Sequence, residues 1–366
     1  MDLNKSKKLT GKEWTELKRK KRILKKKRLE EKLAKKMKQD EEAKKKESEV
    51  PQDEEKEQSR DWTVSVAVPG SILSNAQSPE LRTYLAGQIA RAVVVFNVDE
   101  VIVFDESGTS MNDTDTFQGI TNKGNPNIQL ARILQYLECP QYLRKHFFPK
   151  HVDLQYAGLL NPLDCPHHLR MQEWCKYREG VVVKRPVSKD HPGSYVNIGM
   201  LKEARVDKEL SPGIRVTVKL KQNEQNDKLK YYSGQVVSPS LPRSEAGLYW
   251  GYTVRLAPSL GAVFTQSPYP NGYDKTIGTS DKGANIDEFK LPKFNHLLVV
   301  LGGLKGLESA LDVDSDLNVD DPCHLFDYYL NTCPKQGSRT IRTEEALLIT
   351  LSGLRSKICE STSLNL

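Results

Sequence analysis

Leu297 to Leu301 (LLVVL) is the stretch that most restricts what this chain can become. Five consecutive apolar residues offer no polar face, so a strand built from them must be covered on both sides. Strands of that kind belong to parallel sheets flanked by helices. Gly302 and Gly303 follow at once. A glycine pair at the end of a buried strand lets a ligand approach bare backbone, although a tight turn uses the same residues. The spacing Gly302-Gly303-x-x-Gly306 is neither the dinucleotide fingerprint nor a Walker A loop, because no Gly-Lys-Ser/Thr follows. A nucleotide-phosphate site is therefore disfavoured.

A second stretch, Phe326 to Gly353, reads as strand, loop and helix. Phe326 to Leu330 is aromatic and apolar, the composition of a half-buried strand. Asn331 to Arg342 is polar and turn-forming, longer than a connection needs. Thr343 is the expected N-cap of a helix whose early Glu344 and Glu345 suit a helix N-terminus. Two such strand ends predict one pocket at the carboxyl edge of a sheet.

The earlier chain agrees. Thr63 to Val68 is a buried strand stopped by Pro69-Gly70, and Ser78-Pro79 starts a helix with Leu81, Leu85, Ile89 and Ala92 on one face. Val101 to Phe104 is a second strand, closed by Asp105 and Glu106, and Asn125-Pro126 opens a second helix. Residues 107–124 between them read as a surface loop. This alternation indicates a parallel α/β sheet. From Leu163 to Leu256 the character changes. Gly180–Lys184, Ser194–Ile198, Ile214–Leu220, Tyr231–Val237 and Tyr249–Leu256 are short β-rich runs, which predict a small barrel. Its nucleic-acid candidates are Lys184, Arg185, Lys219, Lys221, Lys228, Lys230, Tyr231 and Tyr232, by the aromatic and basic chemistry of such barrels. They serve equally as plain exposed strand faces.

Four segments together, LVVLGGLKGLE, LNTCPKQGSRTIRTEEALLITLSGL, YWGYTVRLAPSLGAVF and GYDKTIGTSDKG, resemble the eukaryotic and archaeal branch of the SPOUT superfamily of RNA methyltransferases. The resemblance covers roughly residues 61–355. It implies an α/β fold with a C-terminal trefoil knot, an exception to the unknotted rule, and an inserted OB-like barrel. It also implies S-adenosylmethionine as cofactor, RNA as substrate and a homodimer. Matched loop by loop, it puts Gly302, Gly303, Asn331, Thr332 and Ile341 around the cofactor and Lys282 at its carboxylate or an RNA phosphate. Arg339 and Arg342 would orient the acceptor nucleotide, or instead cap carbonyls and pair with Glu344 and Glu345. The implied domains are a tail (1–60), the α/β-knot domain (61–164 and 257–366) and the barrel (165–256). The competing class is a non-catalytic RNA-binding or scaffolding protein that keeps the knot for dimerisation.

Charge is unevenly placed. Residues 1–60 carry 22 Lys/Arg and 14 Asp/Glu, a net +8, whereas the other 306 residues carry 33 and 34, a net −1. Low hydrophobicity with dense charge predicts a disordered arm that contacts RNA or serves as a nuclear or nucleolar address, with a cytoplasmic pool also open. No apolar run approaches the roughly 18 residues of a membrane span. The six cysteines have no C-x-x-C pair or zinc spacing, and His167-His168 reads as a loop pair, so no metal is expected. Methyl transfer from a sulfonium needs none.

Overall fold

The computed structural model describes residues 59–108, 125–185, 193–221 and 230–363. The basic tail, the loop tip at 109–124 and Lys228 lie outside the described residues. In chain order the elements are β1 (Thr63–Pro69), α1 (Pro79–Val95), β2 (Glu100–Phe104), α2 (Pro126–Glu138) and α3 (Gln141–Phe147). Five short strands follow: β3 (Tyr177–Val183), β4 (Tyr195–Asn197), β5 (Ala204–Arg205), β6 (Arg215–Leu220) and β7 (Tyr232–Val237). The remainder is α4 (Leu241–Ala246), β8 (Thr253–Ala257), α5 (Leu260–Thr265), β9 (Lys275–Asn285), β10 (His296–Val300), α6 (Gly306–Val313), β11 (Tyr328–Asn331) and α7 (Thr343–Ser363). Among the described residues no helix is long and apolar enough to cross a membrane.

Six strands form one parallel sheet in the order β11-β9-β10-β1-β2-β8. The apolar runs belong in its centre, as their composition requires. Val64, Val66 and Val68 of β1 enter one core with Leu297 and Val299 of β10 and Val101 and Val103 of β2. The alternate residues Ala67, Leu298, Val300, Ile102 and Phe104 enter the core on the other face. Leu85 and Ile89 of α1, Leu130, Ile133 and Leu134 of α2, and Leu347, Leu351 and Leu354 of α7 cover the first face. Leu260 and Val263 of α5 and Leu307 and Leu311 of α6 cover the second. The starts of α1 and α2 have a local cause. The Ser78 hydroxyl accepts from the Leu81 amide at 3.3 Å, and the Asn125 side chain accepts from the Asn127 amide at 2.9 Å. Proline follows both caps, where its missing N–H costs nothing.

The short strands pair in a ring: β3 with β4 and β6, β4 with β5, β5 with β7, and β7 with β6. Two expectations change here. The run Tyr249–Leu256 does not join this ring; its strand β8 pairs parallel with β2 at the edge of the large sheet. The fifth member is instead the two-residue β5. A hydrophobic run does not state which neighbour it will pair with, and two residues carry no periodicity. Arg60 is also fixed to the ordered fold, by Asp99 at 2.6 Å, so the described fold begins a little before Asp61.

An ion-pair network joins the ring to α2. The Arg215 guanidinium of β6 is bidentate to Glu138 at 2.7 and 2.9 Å and also bonds Glu179 of β3 at 2.7 Å. Glu179 further accepts from Thr217 and from the Trp250 indole, at 2.6 and 2.7 Å. Burial alone would push the Glu138 carboxyl up. Arg215 and the His167 ring together outweigh it and hold the group down at about 2.

Candidate active site

All strands of the sheet are parallel, so the loops at their carboxyl ends share one edge. β1 lies between β2 on one side and β10 on the other, so the chain changes direction across the sheet there. Ligand crevices form outside the carboxyl ends at such a point. A cavity of about 980 Å³ occupies this edge. Its wall is made by Thr279–Lys282, Leu301–Gly306, Asn331–Cys333 and Arg339–Glu344. The volume falls in the range of small-molecule sites, roughly 300–1,000 Å³.

The eight residues singled out from the sequence, Lys282, Gly302, Gly303, Asn331, Thr332, Arg339, Ile341 and Arg342, all line this one cavity. Their local roles differ from what the residue types suggest. A Cβ added at Gly302 would stand 2.7 Å from the Gly306 carbonyl carbon and the Leu307 nitrogen, so this glycine closes a tight turn. A Cβ added at Gly303 would stand 2.5 Å from both carboxylate oxygens of Glu106. The space beside Gly303 therefore belongs to Glu106. Ser71 donates a hydrogen bond to one Glu106 oxygen, and the other oxygen is buried without a partner.

Asn331 is spent on the loop itself. Its amide nitrogen donates to the Asp281 carbonyl at 2.8 Å, and its side-chain oxygen accepts from the Cys333 amide at 3.1 Å. The Thr332 hydroxyl meets that of Thr350 at 3.0 Å. Lys282 pairs with Glu308 at 2.8 Å, which raises its pKa, and its side chain is 74% exposed. Arg339 is exposed, and Arg342 is 77% exposed with Glu344 at 4.0 Å. Both guanidinium groups thus stand at the rim. Thr343 does not cap α7 as expected. Its hydroxyl donates to the Gly302 carbonyl at 3.1 Å, tying the two loops together. Glu345 instead bonds back to the Arg342 amide at 3.0 Å, half of a capping box.

Beyond Gly278 the chain turns polar, from Thr279 to Gly283. β9 continues to Asn285, but its pairing with β11 jumps from Gly278 to Ala284. The intervening five residues bulge out towards the cavity. The sequence reading missed the opposite wall, where Asn75, Ala76 and Gln77 after β1 and Leu81, Tyr84 and Gln88 of α1 complete the lining. The polar run Ser74 to Ser78, just before α1, was the available signal. Elsewhere, one ring nitrogen each of His167 and His168 and the Cys165 sulfur lie within 4.8 Å of one another. Both rings donate to the Glu138 carbonyl, at 2.9 and 2.7 Å, and burial pushes the Cys165 thiol up to about 12. None of the three lines the cavity.

The sheet and its edge define an α/β protein with a cavity of small-molecule size between polar strand-end loops and with arginines at its mouth. The sequence matches, over residues 63–354, the family described as "Putative RNA methyltransferase". A mouse protein (Mus musculus) named 28S rRNA (uridine-N(3))-methyltransferase is 58% identical over 299 residues, covering 81% of this chain and 77% of its own. A Drosophila melanogaster protein of the same name is 51% identical over 313 residues, covering 83% and 64%. A crystal structure of the SpoU methyltransferase AviRb from Streptomyces viridochromogenes, bound to AdoMet, aligns with a TM-score of 0.31 and 11% identity over 84% of this chain and 62% of that one, too distant to argue from. The chain belongs to this family of S-adenosylmethionine-dependent RNA methyltransferases.

Proposed function

We propose that this protein methylates N3 of a uridine in large-subunit ribosomal RNA. The observation that carries the proposal is the 58% identity, across 299 residues, to a protein named for that reaction. The cavity supports it. The polar loops Gly302–Gly306 and Asn331–Cys333, with Leu301, Leu304 and Ile341 in the same wall, suit a ligand with both polar and apolar parts. S-adenosylmethionine held there supplies an electrophilic methyl group together with its leaving group, so the protein's work is alignment and removal of the acceptor's proton. Loss of the N3 proton leaves negative charge on the uracil carbonyl oxygens. Arg339 and Arg342 stand where a nucleotide entering the cavity would meet them, and a guanidinium beside those oxygens favours the deprotonated base.

The finer architecture belongs to the same proposal. The C-terminal segment is threaded as a trefoil knot, a reading supported by the parallel sheet and by the Thr343 bond to the Gly302 carbonyl. The five-strand ring is an OB-like barrel inserted within residues 165–256, less β8, and the flanking segments 61–164 and 257–366 with β8 make the knot domain. The protein acts as a homodimer. Tyr84, Val95, Leu159 and Leu348 are each about half exposed, and together with Arg342 they line one surface depression of α1 and α7. The names of the relatives and the basic tail support a nucleolar site of action. The functional proposal is tested by nucleoside analysis of ribosomal RNA. Cells depleted of the protein should lose 3-methyluridine from large-subunit RNA, and an unchanged 3-methyluridine content would refute the assignment.

A further inference from the structure

Away from the cavity, the ring of short strands carries a second group of polar and aromatic side chains. Tyr195 of β4 and Tyr231, just before β7, have ring centroids 5.0 Å apart with planes tilted by 58°. Three cations surround them. The Arg185 guanidinium lies 5.6 Å from the Tyr195 ring centre and donates to the Tyr231 hydroxyl at 3.2 Å. Arg205 of β5 lies 6.0 and 5.8 Å from the two ring centres, and its Nε is buried with no hydrogen-bond partner among the described residues. The Lys230 ammonium lies 5.5 Å from the Tyr231 ring. One carboxylate, Glu203, pairs with Arg185 at 3.1 Å. Both rings are half-buried, while Arg185 and Lys230 are exposed.

A structural explanation would make this a cation–π cluster that braces strand ends. The same ring contains such a cluster for comparison. Lys176 and Lys219 lie 5.6 and 5.9 Å from the Tyr177 ring. There the ring is fully buried, and both ammonium groups bond a single carboxylate, Glu245, at 2.9 and 2.7 Å. Both of its cations are held by one carboxylate and its aromatic ring is buried. The Tyr195–Tyr231 group has neither property. Among the described residues, three positive charges face one negative charge around two rings that reach the surface. Like charges held together at a surface cost free energy, and exposed cation–π pairs return only about 0.5–1 kcal/mol each. A polyanion with flat, unpaired π-faces satisfies both parts of the group at once. Single-stranded RNA has that chemistry, with bases for the rings and phosphates for the cations.

We propose that Tyr195, Tyr231, Arg185, Arg205 and Lys230 form a platform that grips a single-stranded segment of the substrate RNA. None of the five lines the cavity, so the platform is a second point of attachment. The structure thereby sorts the sequence candidates: Arg185, Lys230 and Tyr231 are gathered, Lys219 is tied to Glu245, and Tyr232 packs against Trp174. Tyr195 and Arg205 had no distinguishing mark in the sequence.

The inference rests on the chain being an RNA methyltransferase, and its test is kept separate from methyl transfer. Full-length protein is titrated with a 12-nucleotide oligouridylate by fluorescence anisotropy at several salt concentrations, with calorimetric S-adenosylmethionine binding as the check that each variant is folded. Tyr195→Ala with Tyr231→Ala should weaken RNA binding about 10- to 100-fold. Tyr195→Phe with Tyr231→Phe, which keeps the stacking faces, should stay within about twofold of wild type. Arg185→Gln with Lys230→Gln, at exposed positions, should lower the salt slope by about 1.4, or 0.7 for each phosphate no longer neutralised. Ultraviolet crosslinking should join the oligonucleotide to peptides containing Tyr195 or Tyr231. The proposal is overturned if the folded alanine pair binds oligouridylate as wild type does, if the glutamine pair leaves the salt slope unchanged, or if crosslinks fall only within residues 1–60. It is equally overturned if oligoglutamate of the same length displaces the RNA as well as oligouridylate does, because the surface would then read charge alone. Loss of methyl transfer with intact oligouridylate binding would count against the proposed reaction, not against the platform.

Discussion

Gly303→Ala is the sharpest probe of how the cavity is built. Gly303 does not have a positive φ, so its backbone accepts alanine, and the effect must come from steric crowding. The new methyl would lie 2.5 Å from both Glu106 oxygens. Ordinary van der Waals separation requires the carboxylate to withdraw by about 1 Å. That movement breaks the charge-assisted bond from Ser71, worth about 1.5–3 kcal/mol. If the strain is relieved by displacing the Gly302–Gly306 turn, which forms part of the cavity wall, S-adenosylmethionine affinity should fall about 10- to 100-fold. Calorimetry measures the affinity, and urea unfolding establishes that the variant is folded. The decisive comparison adds Glu106→Ala. Removing the carboxylate empties the space, so Gly303→Ala on that background should bind cofactor within about threefold of Glu106→Ala alone. If the second substitution rescues nothing, the space beside Gly303 belongs to the ligand and the reading of Glu106 is wrong. If Gly303→Ala alone binds like wild type, the turn does not shape the site.

Arg342→Ala should leave cofactor affinity within about twofold and reduce methyl transfer at least about tenfold, since the side chain is exposed at the rim and far from spent on the fold; parallel calorimetry and labelled-methyl assays check it. Glu138 has a folded pKa of about 2 against an ordinary 4.5. A depressed carboxyl contributes stability that is complete above pH 4.5 and lost as pH falls towards 2, about 3 kcal/mol in all. Urea midpoints between those pH values should fall for wild type and much less steeply for Glu138→Gln. Deleting residues 1–57, which spares the Arg60–Asp99 pair, should leave cofactor binding unchanged and reduce the salt slope of RNA binding by roughly 0.7 to 0.9 for each phosphate that the tail neutralises; an unchanged slope would remove the tail from the RNA interface.

The legible parts of this fold are those where one residue pattern has one physical solution. LLVVL with no polar face must be a strand covered twice, and it is the core of β10. Ser78-Pro79 and Asn125-Pro126 cap and begin helices within a few residues, and both do so here. Choices of partner were not legible. YTVRL alternates acceptably for a barrel strand or a sheet edge, and the pairing with β2 joins segments more than a hundred residues apart. The loops showed the same division. Asn331, Thr332, Ile341 and both arginines were assigned to the site by the family resemblance of their loop, and they line the cavity. That Thr343 would stitch to Gly302, and that Gly303 would make room for Glu106, depends on distances between strand ends that residue types do not encode.

The proposed reaction transfers a methyl group from S-adenosylmethionine to N3 of a uridine in large-subunit ribosomal RNA. Its most direct test is incubation of the purified full-length protein with methyl-labelled S-adenosylmethionine and unmodified large-subunit RNA, followed by digestion to nucleosides and mass spectrometry. Label should appear in 3-methyluridine and be abolished or sharply reduced by Arg342→Ala. Label recovered only in a ribose-methylated nucleoside or another base, or no label from protein that binds the cofactor, would contradict it.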